Sequence, residues 1–195
     1  MKYFIVGLHG SGKQEVIDIL THQGIKCGQL FSNISAASDE VYGSYNYELF
    51  NTTDINEVFE NNAYVFLREL KHRSEKYYEG LSTYTVDQND VFVLSPDQVV
   101  SISPTQMPND VCFIWMDNTQ TNRINRYREE KRSYDFGERE KMEKTDSSSF
   151  IRSMYNGDNK VLYFMNEDPI RVAAIVYALV QHEDLLQAFS EAFAN

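Results

Sequence analysis

Short apolar runs alternate along the chain with segments in which apolar residues recur at helical spacing. Five runs rich in aliphatic and aromatic residues lie at residues 2–6, 25–31, 91–94, 111–116 and 161–164. Their length and the glycine or polar residues around them predict buried β-strands. Between several of them the spacing is helical, as for Val16, Ile17 and Leu20. This alternation predicts an α/β fold, with a parallel sheet covered by helices.

Residues 32–85 depart from this alternation. They are rich in Tyr, Asn and Ser, and they contain short alternating runs at residues 45–50 and 64–70. We expect this segment to form a small inserted lobe. The core is then expected to comprise residues 1–31 and 86–195.

A charged region lies between the fourth and fifth apolar runs. Residues 119–130 are polar and carry several arginines, and residues 131–144 are densely charged without an apolar stripe. This pattern predicts a charged lid over about residues 126–144. Residues 150–155 and 172–193 return to helical spacing, and the second of these segments is expected to cover one face of the sheet.

Composition and charge narrow the classes of partner. The chain has 195 residues with a net charge of −11, which argues against a nucleic-acid partner because clustered Lys and Arg are needed to neutralise phosphate backbones. No apolar run is long enough for a signal peptide or a bilayer span, so we expect a cytoplasmic protein without a membrane partner.

Cys27 and Cys112 lie in predicted strands, which favours buried free thiols over a disulfide.

A glycine-rich segment, Gly7-Leu-His-Gly-Ser-Gly-Lys13, separates the first strand from the first helix. Its spacing is that of a phosphate-binding loop, in which glycines let backbone amides surround a phosphate and the lysine reaches the β and γ oxygens. The strand before it and the helix after it argue against a simple glycine turn. We therefore predict a site for the phosphates of a nucleotide, bound through Gly7, Gly10, Ser11, Gly12 and Lys13, with Lys13 also catalytic.

Gln14 occupies the position where this pattern has Ser or Thr, whose hydroxyl binds Mg²⁺. Three interpretations remain open. Gln14 ligates Mg²⁺ directly or through water, or the phosphates and solvent hold the metal, or the loop binds nucleotide without turning it over. Gln14 and Mg²⁺ are therefore expected at the site, with the coordination undetermined.

Further motifs follow the loop in a fixed order along the chain. They are Glu40-Val-Tyr-Gly43 with residues 45–50, Glu69 nine residues before Tyr78, the arginine-bearing residues 123–128, and residues 161–168. On these motifs the chain resembles the guanylate kinase family, in patches across most of its length. The resemblance implies transfer of the ATP γ-phosphate to GMP, dGMP or a related acceptor.

The resemblance also implies roles for individual residues. Glu69 would contact the acceptor base and Tyr78 its phosphate, while Arg126 would begin the lid. The weaker matches are Ser35, Tyr47, Ser82 and Asp97 on the acceptor side, Arg139 in the lid, and Asn166 beside the adenine pocket. Equally, the tyrosines could pack the lobe and the lid arginines could pair with neighbouring glutamates.

One departure concerns the acceptor phosphate. The family pattern has two arginines after the second strand, whereas residues 32–39 contain none. Neutral hydroxyls bind a phosphate dianion less strongly than arginine does, which predicts weak acceptor binding or a different acceptor. Two alternatives to a nucleoside monophosphate kinase therefore remain: a nucleotide-binding or scaffold protein without transfer, and a kinase for another small acceptor.

Overall fold

The structure is a computed structural model that describes residues 1–32, 47–49, 64–72, 75–103, 105–129, 160–165 and 167–182. The observations below concern these residues. In chain order, the elements are β1 (Lys2–Gly7), α1 (Lys13–His22), β2 (Cys27–Gly28), β3 (Leu30–Ser32), β4 (Tyr47–Leu49), β5 (Tyr64–His72), β6 (Glu75–Ser82), α2 (Thr83–Gln88), β7 (Val91–Leu94), α3 (Pro96–Val100), β8 (Val111–Asp117), α4 (Gln120–Glu129), β9 (Lys160–Met165) and α5 (Pro169–Gln181).

A five-stranded sheet with the order β2-β7-β1-β8-β9 forms the core, and its strand pairs are parallel. Alternate residues of β1 point to opposite faces. Tyr3 and Ile5 join one apolar cluster with α1 and α5, and Phe4 and Val6 join another that includes Phe92. The predicted α/β fold with a helix-covered parallel sheet is confirmed.

A second sheet has the order β4-β3-β6-β5. Its β5 and β6 form an antiparallel hairpin, and β3 pairs with both β4 and β6. This small sheet is formed mostly by the segment that the sequence marked as an insertion.

The prediction of one continuous strand over residues 25–31 is wrong, because this part of the chain forms two short strands that belong to different sheets. β2 pairs with β7 in the core sheet, and β3 pairs within the small sheet. Gly28 lies against Phe92, where a Cβ would overlap the aromatic ring. The run of apolar residues does not reveal this change of sheet, because both strands bury residues.

β9 differs from the fully buried strand that was predicted. Leu162 and Phe164 pack against the core, whereas Val161, Tyr163 and Met165 are exposed. Its position at the edge of the sheet explains this alternation.

Cys27 and Cys112 are free thiols, and only Cys112 is fully buried.

Helix α5 accounts for part of the predicted C-terminal helical region and covers the core sheet together with α1. Most of the predicted lid, residues 150–155 and residues 183–195 lie outside the described part of the chain. None of the described helices has the length and apolar character needed to cross a bilayer.

Candidate nucleotide-binding site

The loop between β1 and α1 has the backbone conformation that its glycines permit. Gly10 and Gly12 have φ angles of 75° and 96°, in the left-handed region that favours glycine. Gly12 is also the N-cap of α1, and it provides no side-chain hydrogen bond to the first turn. An N-terminus without a side-chain cap presents backbone amides and the positive helix dipole to an anion.

Lys13 folds back across this loop. Its Nζ donates hydrogen bonds to the carbonyl oxygens of Gly7 and Leu8, at 2.6 Å and 2.9 Å. The Ser11 backbone amide donates to the same Leu8 carbonyl at 3.1 Å. The ammonium is thereby held against the backbone of the loop, and its contact with phosphate stays a prediction.

The Ser11 side chain lies on the inner side of the loop. Ser11 is 2% exposed, and a Cβ added to Gly7 would meet its Oγ at 2.8 Å. Any contact of Ser11 with a phosphate would therefore come from its backbone, since the hydroxyl is buried against the end of β1.

Two arginines one helical turn apart on α4 reach the loop. Arg123 is 2% exposed, and its backbone lies so close to Gly10 that a Cβ there would meet the Arg123 carbonyl oxygen at 2.7 Å. Arg126 forms an ion pair with Glu15 at 2.7 Å, next to Gly12. Arg126 thus lies beside the loop, and its predicted contact with the phosphates stays a prediction, whereas Arg123 was not selected from the sequence. Its spacing of three residues from Arg126 was the available signal.

A cavity of about 780 Å³ adjoins the loop. It is bounded by residues of α1, by the start of α4 and by the turn into α5, and its lining includes Glu15, Asn122, Arg126, Asp168 and Pro169. This volume is within the usual range for small-molecule sites. The turn at residues 167–170 directly follows the predicted residue Asn166, which itself lies outside the described residues.

Two carboxamides are fixed together at this cavity. Asn118 is 9% exposed, and its Oδ1 accepts hydrogen bonds from the Thr119 amide and from Asn122 Nδ2, each at 2.9 Å. Carboxamides match the donor and acceptor pattern of a nucleobase edge. Neither residue was predicted from the sequence, although Asn118 lies just after the predicted strand that ends at Met116 and Thr119-Gln120 lead from it into α4.

The Gln14 side chain bonds along α1, where its Nε2 donates to Asp18 Oδ1 at 2.9 Å. Within the described ranges, no group of three His, Cys, Asp or Glu side chains could hold a metal ion. The backbone of the loop has the conformation that a phosphate site needs, and the described His, Cys, Asp and Glu side chains do not form a cage for Mg²⁺. The three interpretations of Gln14 and Mg²⁺ therefore stay predictions.

The β5–β6 hairpin brings Glu69 and Tyr78 together, since they are paired in the strand register. The Tyr78 hydroxyl donates to Glu69 Oε2 at 3.2 Å, and Lys76 Nζ donates to the same oxygen at 2.9 Å. The hydrogen bond and charge of Glu69 raise the pKa of Lys76. The two predicted acceptor residues are thus neighbours, and a cation lies beside them.

Ser82 and Asp97 bond within the protein. The Ser82 Oγ accepts from the Thr85 amide at 3.0 Å and caps α2. Asp97 Oδ2 forms an ion pair with Arg68 at 2.6 Å. Arg68 also pairs with Glu79, which is 2% exposed and accepts from Gln98 Nε2 at 3.3 Å.

We name Arg68, Glu79, Asp97 and Gln98 the Arg68 network. It joins β5 and β6 of the small sheet to α3 of the core. Sequence reasoning missed Arg68, although the alternation of β5 places it on the same face as the buried Phe66.

Three predicted site residues, Ser35, Arg139 and Asn166, lie outside the described residues. Tyr47 is described only by its backbone, as the first residue of β4, where it pairs with Leu30. Their predicted roles stay predictions.

No family model and no curated protein matches the chain. Solved structures do match. The crystal structure of guanylate kinase from Anaplasma phagocytophilum aligns with a TM-score of 0.52 at 13% identity, covering 93% of this chain and 85% of that chain. An unliganded sugar kinase from Janibacter sp. HTCC2649 aligns with a TM-score of 0.42 at 12% identity, covering 95% of this chain and 98% of that chain. The first likeness shows that the fold resembles that of a kinase.

Proposed function

We propose that the protein is a nucleotide-dependent phosphotransferase that binds ATP, with the phosphates on the loop and the nucleoside in the adjoining cavity. The observation that carries this proposal is the Lys13 ammonium bonded to the carbonyls of Gly7 and Leu8. That contact fixes a cation on the loop, and the helix N-terminus that follows the loop has no side-chain cap. The fold shared with a guanylate kinase supports the same class of activity.

The residues at the loop have separable roles in this proposal. Lys13 and the amides of the first turn of α1 stabilise the charge that accumulates on the phosphates during transfer. Arg126 exchanges its bond to Glu15 for the phosphates of ATP, since it already lies beside Gly12. Mg²⁺ supplies further charge neutralisation when bound, held by phosphates and water.

On the acceptor side, the resemblance to guanylate kinases gives GMP, dGMP or a related compound as the acceptor. The contact between Glu69 and Tyr78 is compatible with base recognition by the carboxylate. A cytoplasmic location goes with this proposal. Arg139, Ser35, Tyr47 and Asn166 keep their predicted roles in it.

A second candidate function is nucleotide binding without transfer. The hydrogen bond from Gln14 to Asp18 favours it, because the side chain that follows the lysine bonds within its helix. Both candidates require the same ATP site, and turnover separates them.

Calorimetric titration of the protein with ATP and with ADP tests the shared site, together with thermal melting at saturating nucleotide. We expect measurable heat and a rise in Tm with both nucleotides. Absence of both signals would overturn the two candidates together. Formation of ADP with a panel of acceptors then supports transfer, and binding without any ADP formation supports the second candidate.

A further inference from the structure

Several hydrogen-bond donors of the β5–β6 hairpin and of β3 are bonded to other groups of the protein. Arg68 donates to Glu79 and Asp97, Lys76 donates to Glu69, and the Tyr78 hydroxyl also donates to Glu69. The buried Ser32 Oγ donates to the Tyr78 carbonyl at 3.0 Å. Each of these donors therefore already has a carboxylate or a carbonyl oxygen as a partner, with which a phosphate would compete.

The charge of the Arg68 network also disfavours an anion. Its single guanidinium faces two carboxylates, and Glu79 is almost completely buried. The neighbouring Lys76 and Glu69 cancel each other. Like charges in a partly desolvated cleft repel strongly, so a phosphate dianion beside this excess carboxylate is destabilised.

The sequence of the small lobe provides no compensating cation upstream. Residues 32–67 contain no Lys, Arg or His, whereas they contain six Asp or Glu residues. This observation is independent of the contacts in the network. The lack of cationic residues noted at residues 32–39 therefore continues through the first half of the lobe.

The position of the network makes it relevant to transfer. Asp97 lies on α3, directly after β7, and the end of β7 pairs beside the end of β1 where the loop begins. In open α/β sheets, ligands bind outside the carboxyl ends of the strands. The network and the loop therefore share one edge of the core sheet.

We infer that the acceptor is an unphosphorylated, hydroxyl-bearing small molecule rich in hydrogen-bond donors, such as a nucleoside, rather than a nucleoside monophosphate. This inference rests on the proposed phosphotransferase function, and it places the acceptor among the related compounds rather than with GMP and dGMP themselves. Carboxylates accept only, so the excess carboxylate of the network matches donors on the acceptor. In the transfer, the acceptor hydroxyl oxygen bonds to the γ-phosphorus, the bond from that phosphorus to the β–γ bridging oxygen breaks, ADP leaves, and the hydroxyl proton passes to water.

The first test compares each acceptor with its own phosphorylated form. Nucleosides and hexoses are incubated with ATP and Mg²⁺, each beside its monophosphate, and ADP formation is followed. We expect at least one unphosphorylated compound to react at least tenfold faster than its monophosphate. A faster reaction with the monophosphate, or no reaction with any unphosphorylated compound in protein that binds ATP, would overturn the inference. Failure of ATP itself to bind would instead defeat the proposed function.

The second test changes the charge of the network. Asp97→Asn preserves the shape of the side chain and leaves Arg68 bound to Glu79. We expect it to bind GMP at least threefold more tightly than the unaltered protein in calorimetric titration. Asp87→Asn, which removes an exposed carboxylate on α2, is the charge-matched control and should leave GMP affinity unchanged. Equal or weaker GMP binding by Asp97→Asn would show that the carboxylate does not exclude phosphate.

Discussion

The Lys13 ammonium lies 2.6 Å from the Gly7 carbonyl oxygen, so the first residue of α1 is bonded to the last residue of β1. The lysine therefore has two functions in the proposed site. It holds the loop in shape before nucleotide arrives, and it places a positive charge where the transferred phosphate would lie.

Replacement of this lysine separates transfer from folding. We expect Lys13→Met to lower the rate of ADP formation by at least about 100-fold, because it removes a cation that stabilises transition-state charge. Steady-state kinetics measure the effect, and circular dichroism should show an unchanged fold. Lys26→Met, at an exposed position before β2, is the control. Activity in Lys13→Met equal to that of the control would contradict the assigned role.

Gly12→Ala tests the loop geometry. Its φ of 96° disfavours any residue with a side chain, and the added Cβ would meet Arg126 Nη1 at 2.5 Å and Pro169 Cγ at 2.9 Å. We expect a loss of roughly 1–2 kcal/mol in stability from the backbone strain, together with loss of ATP binding. Urea unfolding and calorimetry provide the two measurements.

Gly24→Ala is a matched control for this variant. Gly24 has a φ of 84°, and a Cβ there would meet no atom within 4 Å. It should therefore show a similar loss of stability with unchanged ATP affinity. If both variants retained ATP binding, the space beside Gly12 would not belong to the nucleotide site.

Glu15→Gln tests whether the ion pair with Arg126 competes with the phosphates. The Glu15 side chain is 54% exposed, and its carboxylate lies 2.7 Å from Arg126 at the edge of the cavity. We expect ATP to bind about two- to fivefold more tightly at low salt, since exposed pairs are weak and screened. Calorimetry at low and high salt measures this, and the gain should shrink at high salt. Weaker ATP binding would mean that Glu15 supports the nucleotide.

Arg68→Met tests the stability of the Arg68 network. Removing the guanidinium leaves Glu79 and Asp97 without their shared cation, and we expect a loss of about 3 kcal/mol. Urea unfolding measures this loss. Adding Asp97→Asn to Arg68→Met should recover part of it, while Lys76→Met, which breaks an exposed pair, should change Tm only slightly. Equal effects of Arg68→Met and Lys76→Met would show that burial does not strengthen the network.

The cysteines provide a prediction of pH dependence. Burial raises the pKa of Cys112 from 9.0 to about 12, and burial also raises the pKa of Cys27. At pH 8 only about one Cys112 side chain in ten thousand is then ionised in the folded protein. Thiol labelling of Cys112 should therefore be slow, and Cys27 should react first. The pKa of Cys112 is higher in the folded protein than in the unfolded chain. The contribution of its protonated thiol to the free energy of unfolding is therefore complete below about pH 9 and declines as the pH rises toward 12. Labelling of Cys112 as fast as in urea would contradict its burial.

Local patterns in the sequence were sufficient to predict much of the fold. The apolar run of β1, the glycines after it and the helical spacing of α1 are all properties of neighbouring residues. They predicted the strand, the loop and the helix correctly. The parallel sheet followed from the alternation of such segments.

The remaining features depend on residues distant in the chain. Arg68 meets Asp97 across 29 positions, and Arg126 meets Glu15 across 111 positions. Single-sequence periodicity carries no information on such pairs. The edge position of β9 and the change of sheet between β2 and β3 are likewise decided by strand order, which is not visible in either run of residues.

Only Gln29 separates β2 of the core sheet from β3 of the small sheet. The two sheets are therefore joined at this point by the two backbone dihedral angles of a single residue. Any displacement of the small sheet must be taken up by rotation at this residue or transmitted to β2, and through it to β7, whose end lies beside the loop. A ligand that moved the small sheet could therefore also move the strands that lead to the candidate phosphate loop.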